Sequence, residues 1–395
     1  MALSITDHFQ QLTALLSNNR AFWQILPFNC AELPWQHNEL NAYLWSLNDT
    51  EIARLDTDPN VLQQAFSAFF PAAFELTKLP SQPMQQDVAA LPFWLANGIG
   101  GRKLQQIDAL CQHWTPSALP IIEWCAGKGH LGRILAHRFT QPVTSVEWQR
   151  ALCDAGEKLA EKYQLPQRFV CDDVLTQPLT AILQPEQQIV ALHACGQLHI
   201  TLLEQMVQAQ CRQLHLVPCC YHLIPNSHYR PLSSLAQQVD LTLSKEDLKL
   251  AVQGQVTAGD RIEKLRATEV LWRLVYDELR AEVTNDKQYR PLSSVAKHWF
   301  THELSDFVSW AAAQHSINLP DNIDWACYMA RAEKRAALVK RIDLIRHIFR
   351  RPLELWLSLD KALFLQQQGY CVSLTEFCDY QVTPRNILLR AYKAI

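Results

Sequence analysis

The chain has 395 residues, 48% of them hydrophobic and 19% charged, with a formal net charge of −3. That length suits one large domain with additions, or two to three domains, and the apolar content is enough for a substantial core. The faintly acidic balance excludes a polycation that grips nucleic acid over its whole surface, so any such contact needs a local patch.

Twelve cysteines are scattered without repeated Cys-x-x-Cys pairs, which predicts reduced thiols in a cytoplasmic protein, not a disulfide framework. The first residues, Met1 to His8, carry no basic stretch followed by an apolar one, so secretion is not expected. The most apolar window, around Ala65 to Leu76, is too short and too interrupted by proline to span a bilayer, and no membrane partner is expected. Nothing in the sequence fixes the oligomeric state.

Residues 1–112 read as a helical N-terminal domain. Phe9, Leu12, Leu15 and Leu16 recur at helical spacing after Thr6-Asp7, and Asp58-Pro59-Asn60 opens another such segment. Gly98-Ile99-Gly100-Gly101-Arg102-Lys103 then reads as a basic hinge.

Residues 113–224 read as an α/β core of parallel units. Predicted strands near 119–124, 143–147, 168–173, 189–193 and 214–218 alternate with helical stretches, including one over 149–163. The first strand runs into Glu123-Trp-Cys-Ala-Gly-Lys-Gly-His130, a tight turn before a helix, the place where open α/β sheets hold nucleotide-like ligands. A P-loop is excluded because no Ser or Thr follows Gly-Lys, and the dinucleotide fingerprint needs Gly where Cys125 stands. A carboxylate at the strand tip repels pyrophosphate but suits the ammonium and sulfonium of S-adenosyl-L-methionine. Gly127 and Gly129 are expected to let the backbone approach that ligand, with Cys125 and His130 lining the same turn. Glu147 lies at the offset where an acid meets ribose hydroxyls, and Asp172 or Asp173 is placed to accept from the adenine amino group.

The fourth and fifth strands end in His193-Ala-Cys-Gly196 and Pro218-Cys-Cys-Tyr-His222, which face the same crevice. Three readings are open. These can be small or satisfied core residues; His193, Tyr221 and His222 can shape an acceptor pocket, one histidine serving as general base; or cysteine and histidine can bind a metal. No metal is expected, because adjacent residues such as Cys219 and Cys220 on an extended strand point to opposite faces.

Residues 225–350 read as a helical insertion that contains Tyr-Arg-Pro-Leu-Ser-Ser twice, at 229–234 and 289–294. Its basic run Arg331, Lys334, Arg335, Lys340, Arg341, Arg346, Arg350 and Arg351 reads either as a solvated face or as a phosphate-contacting patch for RNA. Residues 351–395 read as a last helix and two strands, near 370–377 and 386–392, joined too tightly for a parallel crossover and so antiparallel. The expected fold class is therefore α/β, a Rossmann-like seven-stranded sheet with an N-terminal helical domain and a helical insertion after the fifth strand.

Glu123-Trp-Cys-Ala-Gly-Lys-Gly-His-Leu131, His193-Ala-Cys-Gly196 and Pro218-Cys-Cys-Tyr-His222 resemble a methyltransferase family. It includes the glutathione S-transferase C-terminal-domain-containing protein, the ribosomal RNA adenine dimethylase domain-containing protein and, more distantly, a tRNA ribose 2′-O-methyltransferase. Arg351-Pro-Leu-Glu354 and Thr383-Pro-Arg-Asn386 are similar to that family too. The resemblance implies S-adenosylmethionine-dependent methyl transfer, with Glu123, Gly127, Gly129, Glu147 and Asp173 as donor-binding positions. The acceptor is expected to be RNA (tRNA or rRNA). A protein side chain, or an inactive donor-binding scaffold acting through its helical parts, is the alternative.

Overall fold

The computed structural model describes residues 3–80, 90–115, 117–177, 179, 181–253 and 260–393. Its centre is one seven-stranded sheet in the order β3-β2-β1-β4-β5-β7-β6. The strands are β1 (Ile121–Trp124), β2 (Val143–Glu147), β3 (Gln167–Cys171), β4 (Gln188–Cys195), β5 (Gln213–Cys219), β6 (Cys371–Glu376) and β7 (Ile387–Tyr392). β1 to β5 pair in parallel, and β7 runs antiparallel to both β5 and β6. β1 and β2 are buried along their whole length, as strands covered by helices on both faces must be. Ile121, Val143, Val190 and Val217 meet Ile134 and Leu135 of the His130–Phe139 helix in one apolar core. The order reverses at β1 and β4, so the ends of these strands flank the crevice where such sheets bind ligands.

Contacts gather the chain into two compact units. One comprises Met1–Asn18, Ala72–Val256 and Phe349–Ile395; the other Asn19–Pro71 and Thr257–Ile348. These boundaries differ from the expected segments 1–112, 113–224, 225–350 and 351–395, and the side chains give the reason. In the sheet-bearing unit, the Ile5–Asn18 helix lies on the Arg350–Gln367 helix. There Phe9 packs 5.1 Å from Trp356, whose indole N–H donates to Thr13 Oγ1 at 2.8 Å.

The second unit is helical. Asn48 and Glu51 form a capping box that starts the Asp49–Thr57 helix, and Asp58 caps the Pro59–Phe66 helix, with proline at its first position. Its core joins Leu274, Val275 and Leu279 of the Asp260–Thr284 helix to Phe307, Val308 and Ala332. Residues 19–71 are pinned to the Trp325–Ile348 helix by buried arginines. Arg341 donates to the carbonyls of Leu44 at 3.0 Å and Leu47 at 2.7 Å, and Arg346 to that of Trp23 at 3.3 Å.

The repeated phrase has two unrelated roles. In the first copy, Tyr229 Oη, Leu232 N–H and Ser233 N–H and Oγ all donate to the buried Asp360 carboxylate. In the second, Tyr289 packs on Phe28, and the carbonyls of Leu292 and Ser293 accept from Arg273. Among the described residues, no helix is long and apolar enough to cross a membrane.

Candidate active site at the β1, β4 and β5 ends

β1 stops at Trp124, and residues 125, 127 and 129 then all take left-handed backbone, with φ of +57°, +58° and +64°. The turn thus has the shape of a Gly-x-Gly-x-Gly loop with a cysteine in its first place. Cys125 holds a conformation disfavoured for a residue with a Cβ, while the next residue, Ala126, donates its N–H to the Val146 carbonyl at 2.9 Å. The two glycines serve different ends. A Cβ on Gly127 would meet nothing within 4 Å, so open space faces it. A Cβ on Gly129 would lie 2.4 Å from Phe169, so that glycine is required by packing against β3.

Glu123, the acid expected at the strand tip, is 3% exposed and accepts from Ser145 Oγ at 2.6 Å. Burial pushes its carboxyl up to about 7, opposed by the Ser145 and Gly132 hydrogen bonds and by Lys103 and Arg133. A Cβ on Gly132 would come within 2.4 Å of its Oε2. Glu123 therefore ties the end of β1 to β2 and to the helix that follows the turn.

Glu147, at the end of β2, accepts from Gly127 N–H at 2.9 Å and from Gln149 N–H at 3.1 Å. Each oxygen keeps a further lone pair, so the carboxylate both fixes the turn and can accept hydroxyls. Trp148, next in sequence, is 66% exposed. Asp172 and Asp173 follow β3, which ends at Cys171, earlier than the predicted 173. Asp172 accepts from Asp173 N–H at 2.8 Å, and Asp173 from Leu175 N–H at 3.0 Å, so both are held in a half-buried turn.

His193 sits where the β4–β5 register shifts, with φ +68°. This bulge re-aims the imidazole, as bulges beside sites do. Its Nε2 lies 3.0 Å from Gln106 Oε1, and Gln106 Nε2 donates to the Val382 carbonyl at 3.5 Å. A carbonyl can only accept, so the Gln106 amide turns its oxygen to His193, which must donate from Nε2 and leave a lone pair on Nδ1. Burial, with Lys103 and Arg385 nearby, pushes His193 down to about 4. It is neutral at pH 7. His130, at the helix start, is also pushed down to about 4, by burial and then by Arg133, Lys103 and Lys128.

Tyr221 does not join them. It is 1% exposed, with its hydroxyl 3.3 Å from Ser358 Oγ and the Lys361 ammonium 5.1 Å from its ring centroid. The strand ends at Cys219 and the chain turns in, so Tyr221 packs on the Arg350–Gln367 helix instead of shaping an acceptor pocket. His222 is half-buried, and its Nδ1 has no hydrogen-bond partner.

The expectation that Cys219 and Cys220 face opposite ways is overturned. Cys220 takes φ +46°, which breaks strand alternation, and the sulfurs of Cys195, Cys219 and Cys220 all lie within 4.8 Å of one another. Hydrogen bonding among the three thiols lowers Cys220 and raises Cys219, so the three titrate as one unit.

Sequence reasoning missed Lys103 and Gln106, one helical turn apart on the Gly101–Gln112 helix, and Arg385 beside His193 and Cys220. Residues 101–103 were expected to be a hinge; they begin this helix. The i, i+3 spacing of two long polar side chains was the available signal, and nothing in it marks which face meets the crevice.

The basic run is largely consumed by internal contacts. Arg331 pairs with Glu282, Arg335 with Asp277 and Glu278, Lys340 with Asp49, Arg346 with Asp343, and Arg351 with Glu354 and Glu376. Arg341 is buried on carbonyls, and Arg350 donates to the Gln253 carbonyl at 3.5 Å. Lys334 alone among these is exposed and unpartnered, while Arg331 and Lys340 are exposed in surface ion pairs.

Residues 102–227 match a methyltransferase domain family. A curated relative, the glutathione S-transferase C-terminal domain-containing protein of Xenopus laevis, is 30% identical over 133 residues, which is 32% of this chain and 20% of the relative. The chain thus spans about a fifth of that relative's length. Among solved structures, coclaurine N-methyltransferase bound to N-methylheliamine and SAH aligns at 14% identity over 54% of this chain and 58% of that one, with a TM-score of 0.27. A TehB-like SAM-dependent methyltransferase from Corynebacterium glutamicum aligns at 18% identity over 30% and 64%, with a TM-score of 0.23.

Proposed function

We propose that the chain transfers a methyl group from S-adenosylmethionine to RNA, using the crevice at the ends of β1, β2 and β4. The methyltransferase domain match supports the reaction class. The turn that carries the reading is the one at 125–129: Glu147 clamps it at Gly127, and open space lies over that glycine. Bound there, the donor supplies an electrophilic methyl on a positively charged sulfur.

The chain's own residues supply the rest. Glu147 has lone pairs for ribose hydroxyls, Trp148 offers a bare aromatic face to an adenine ring, and Asp172 and Asp173 stand at the next strand end. Lys103, a cation beside Glu123 and His130, suits the donor's carboxylate. His193, neutral and with Nδ1 free, can accept the proton that an acceptor sheds. A base held near 4 is sufficient, because an oxygen or ring nitrogen becomes strongly acidic once methylated. Most of the rate enhancement would come from alignment and exclusion of water.

RNA is favoured as acceptor by the sequence resemblance and by Lys128, an exposed cation on the turn beside His130 that can meet a phosphate. The test is incubation of the purified chain with methyl-labelled donor and separate RNA and protein fractions, followed by nucleoside mass spectrometry. Label in an RNA nucleoside is the expected result. Label in protein alone would overturn the RNA acceptor, and donor binding without label in either fraction would leave only a scaffold.

A further inference from the structure

Three cysteines from two strand ends converge beside the crevice, and the backbone has been bent to make them do so. Gly196 takes φ +53°, and a Cβ there would lie 2.0 Å from the Leu223 carbonyl, so only glycine admits this approach. Gly196 N–H donates to the Cys219 carbonyl at 2.9 Å, and Gln197 N–H to the Leu223 carbonyl at 2.8 Å. These bonds lock the end of β4 onto the end of β5 and set Cys195 opposite Cys219, their sulfurs 3.1 Å apart. The left-handed Cys220 brings in the third sulfur, all within 4.8 Å.

We propose that Cys195, Cys219 and Cys220 bind a thiophilic divalent ion, zinc above all, with one coordination position left open. Three sulfurs select a soft or borderline ion, whereas magnesium and calcium require oxygen ligands, and the trio includes no carboxylate. Zn–S bonds of about 2.3 Å in a tetrahedron place sulfurs roughly 3.8 Å apart, so the trio needs only a small opening between Cys195 and Cys219. His222 is not in the cluster, which leaves three protein ligands, the number found where zinc keeps a place for an exogenous ligand. Cys195 and Cys220 are half-buried, so the ion can enter from outside. Uptake displaces the thiol protons to solvent, and a divalent ion on three thiolates carries a net charge of −1. This site does not depend on the methyl-transfer reading.

The full chain, purified under reductant without a metal-binding tag, is expected to carry about one zinc by elemental analysis. Cys195→Ser, Cys219→Ser and Cys220→Ser should each reduce that content to a third or less, while Cys111→Ser leaves it unchanged. Cobalt added to metal-free protein should give sulfur-to-cobalt charge-transfer absorption in the near ultraviolet. If a serine variant fails to fold, alkylation of the parent decides: zinc should protect these three thiols, read peptide by peptide. No metal above trace with no cobalt band, alkylation unchanged by zinc, or a Cys195–Cys219 disulfide as the main state of the reduced preparation would each overturn the proposal.

Discussion

Glu123 ties the end of β1 to β2 and to the start of the His130–Phe139 helix from a buried position. Its carboxyl is raised from the ordinary 4.5 to about 7 by burial. Between those values the folded chain keeps a proton that the unfolded chain has released. The stabilising contribution is therefore full below about pH 4.5, falls as pH rises, and is gone above about pH 7. Glu123→Gln cannot titrate, so urea melts of parent and variant should diverge across this window, by on the order of 3 kcal/mol. A difference that stays constant from about pH 4.5 to 8 would contradict the assignment. His193 has the opposite sign: its depressed value means stability that is present above about 6.5 and lost as pH falls towards 4. The left-handed backbone of Cys125, His193 and Cys220 was not legible in the sequence, because each side chain disfavours it locally. Only tertiary contacts hold it, and those three residues give the site its shape.

At the scale of elements, the strands were legible and their partners largely so. β2 was read at Val143–Glu147, where it lies, because a short β-branched run between turns leaves little choice. The antiparallel β6–β7 pair followed from the short connection around Thr383-Pro384-Arg385. The internal partners of the basic run in the Trp325–Ile348 helix were not legible, because charge is visible in a sequence and its acceptors are not. Arg341 is the clearest case: Arg341→Ala strands the buried Leu44 and Leu47 carbonyls and should destabilise the helical unit by about 3 kcal/mol in urea unfolding. Lys334→Ala, an exposed position without partners, should change it by less than about 0.5 kcal/mol. Equal effects would mean that Arg341 does not pin residues 19–71 in solution.

At the scale of the whole chain, sequence order and spatial grouping diverge. Residues 19–71 and 257–348 form one unit although most of the sheet lies between them in sequence. No local pattern announces such a return, because helical periodicity reports which face is buried and not what buries it. The sheet needed no such information: its seven strands occur in the order that places β1 and β4 at the switch point, and a crevice at their ends follows. Calorimetric titration of the full chain with S-adenosylmethionine, S-adenosylhomocysteine and NAD tests that crevice most directly. The account predicts one site per chain for both adenosyl ligands, no heat with NAD, and affinity weakened about 10- to 100-fold in Glu147→Gln. Absence of binding by either adenosyl ligand, or an unchanged dissociation constant in Glu147→Gln, would contradict it.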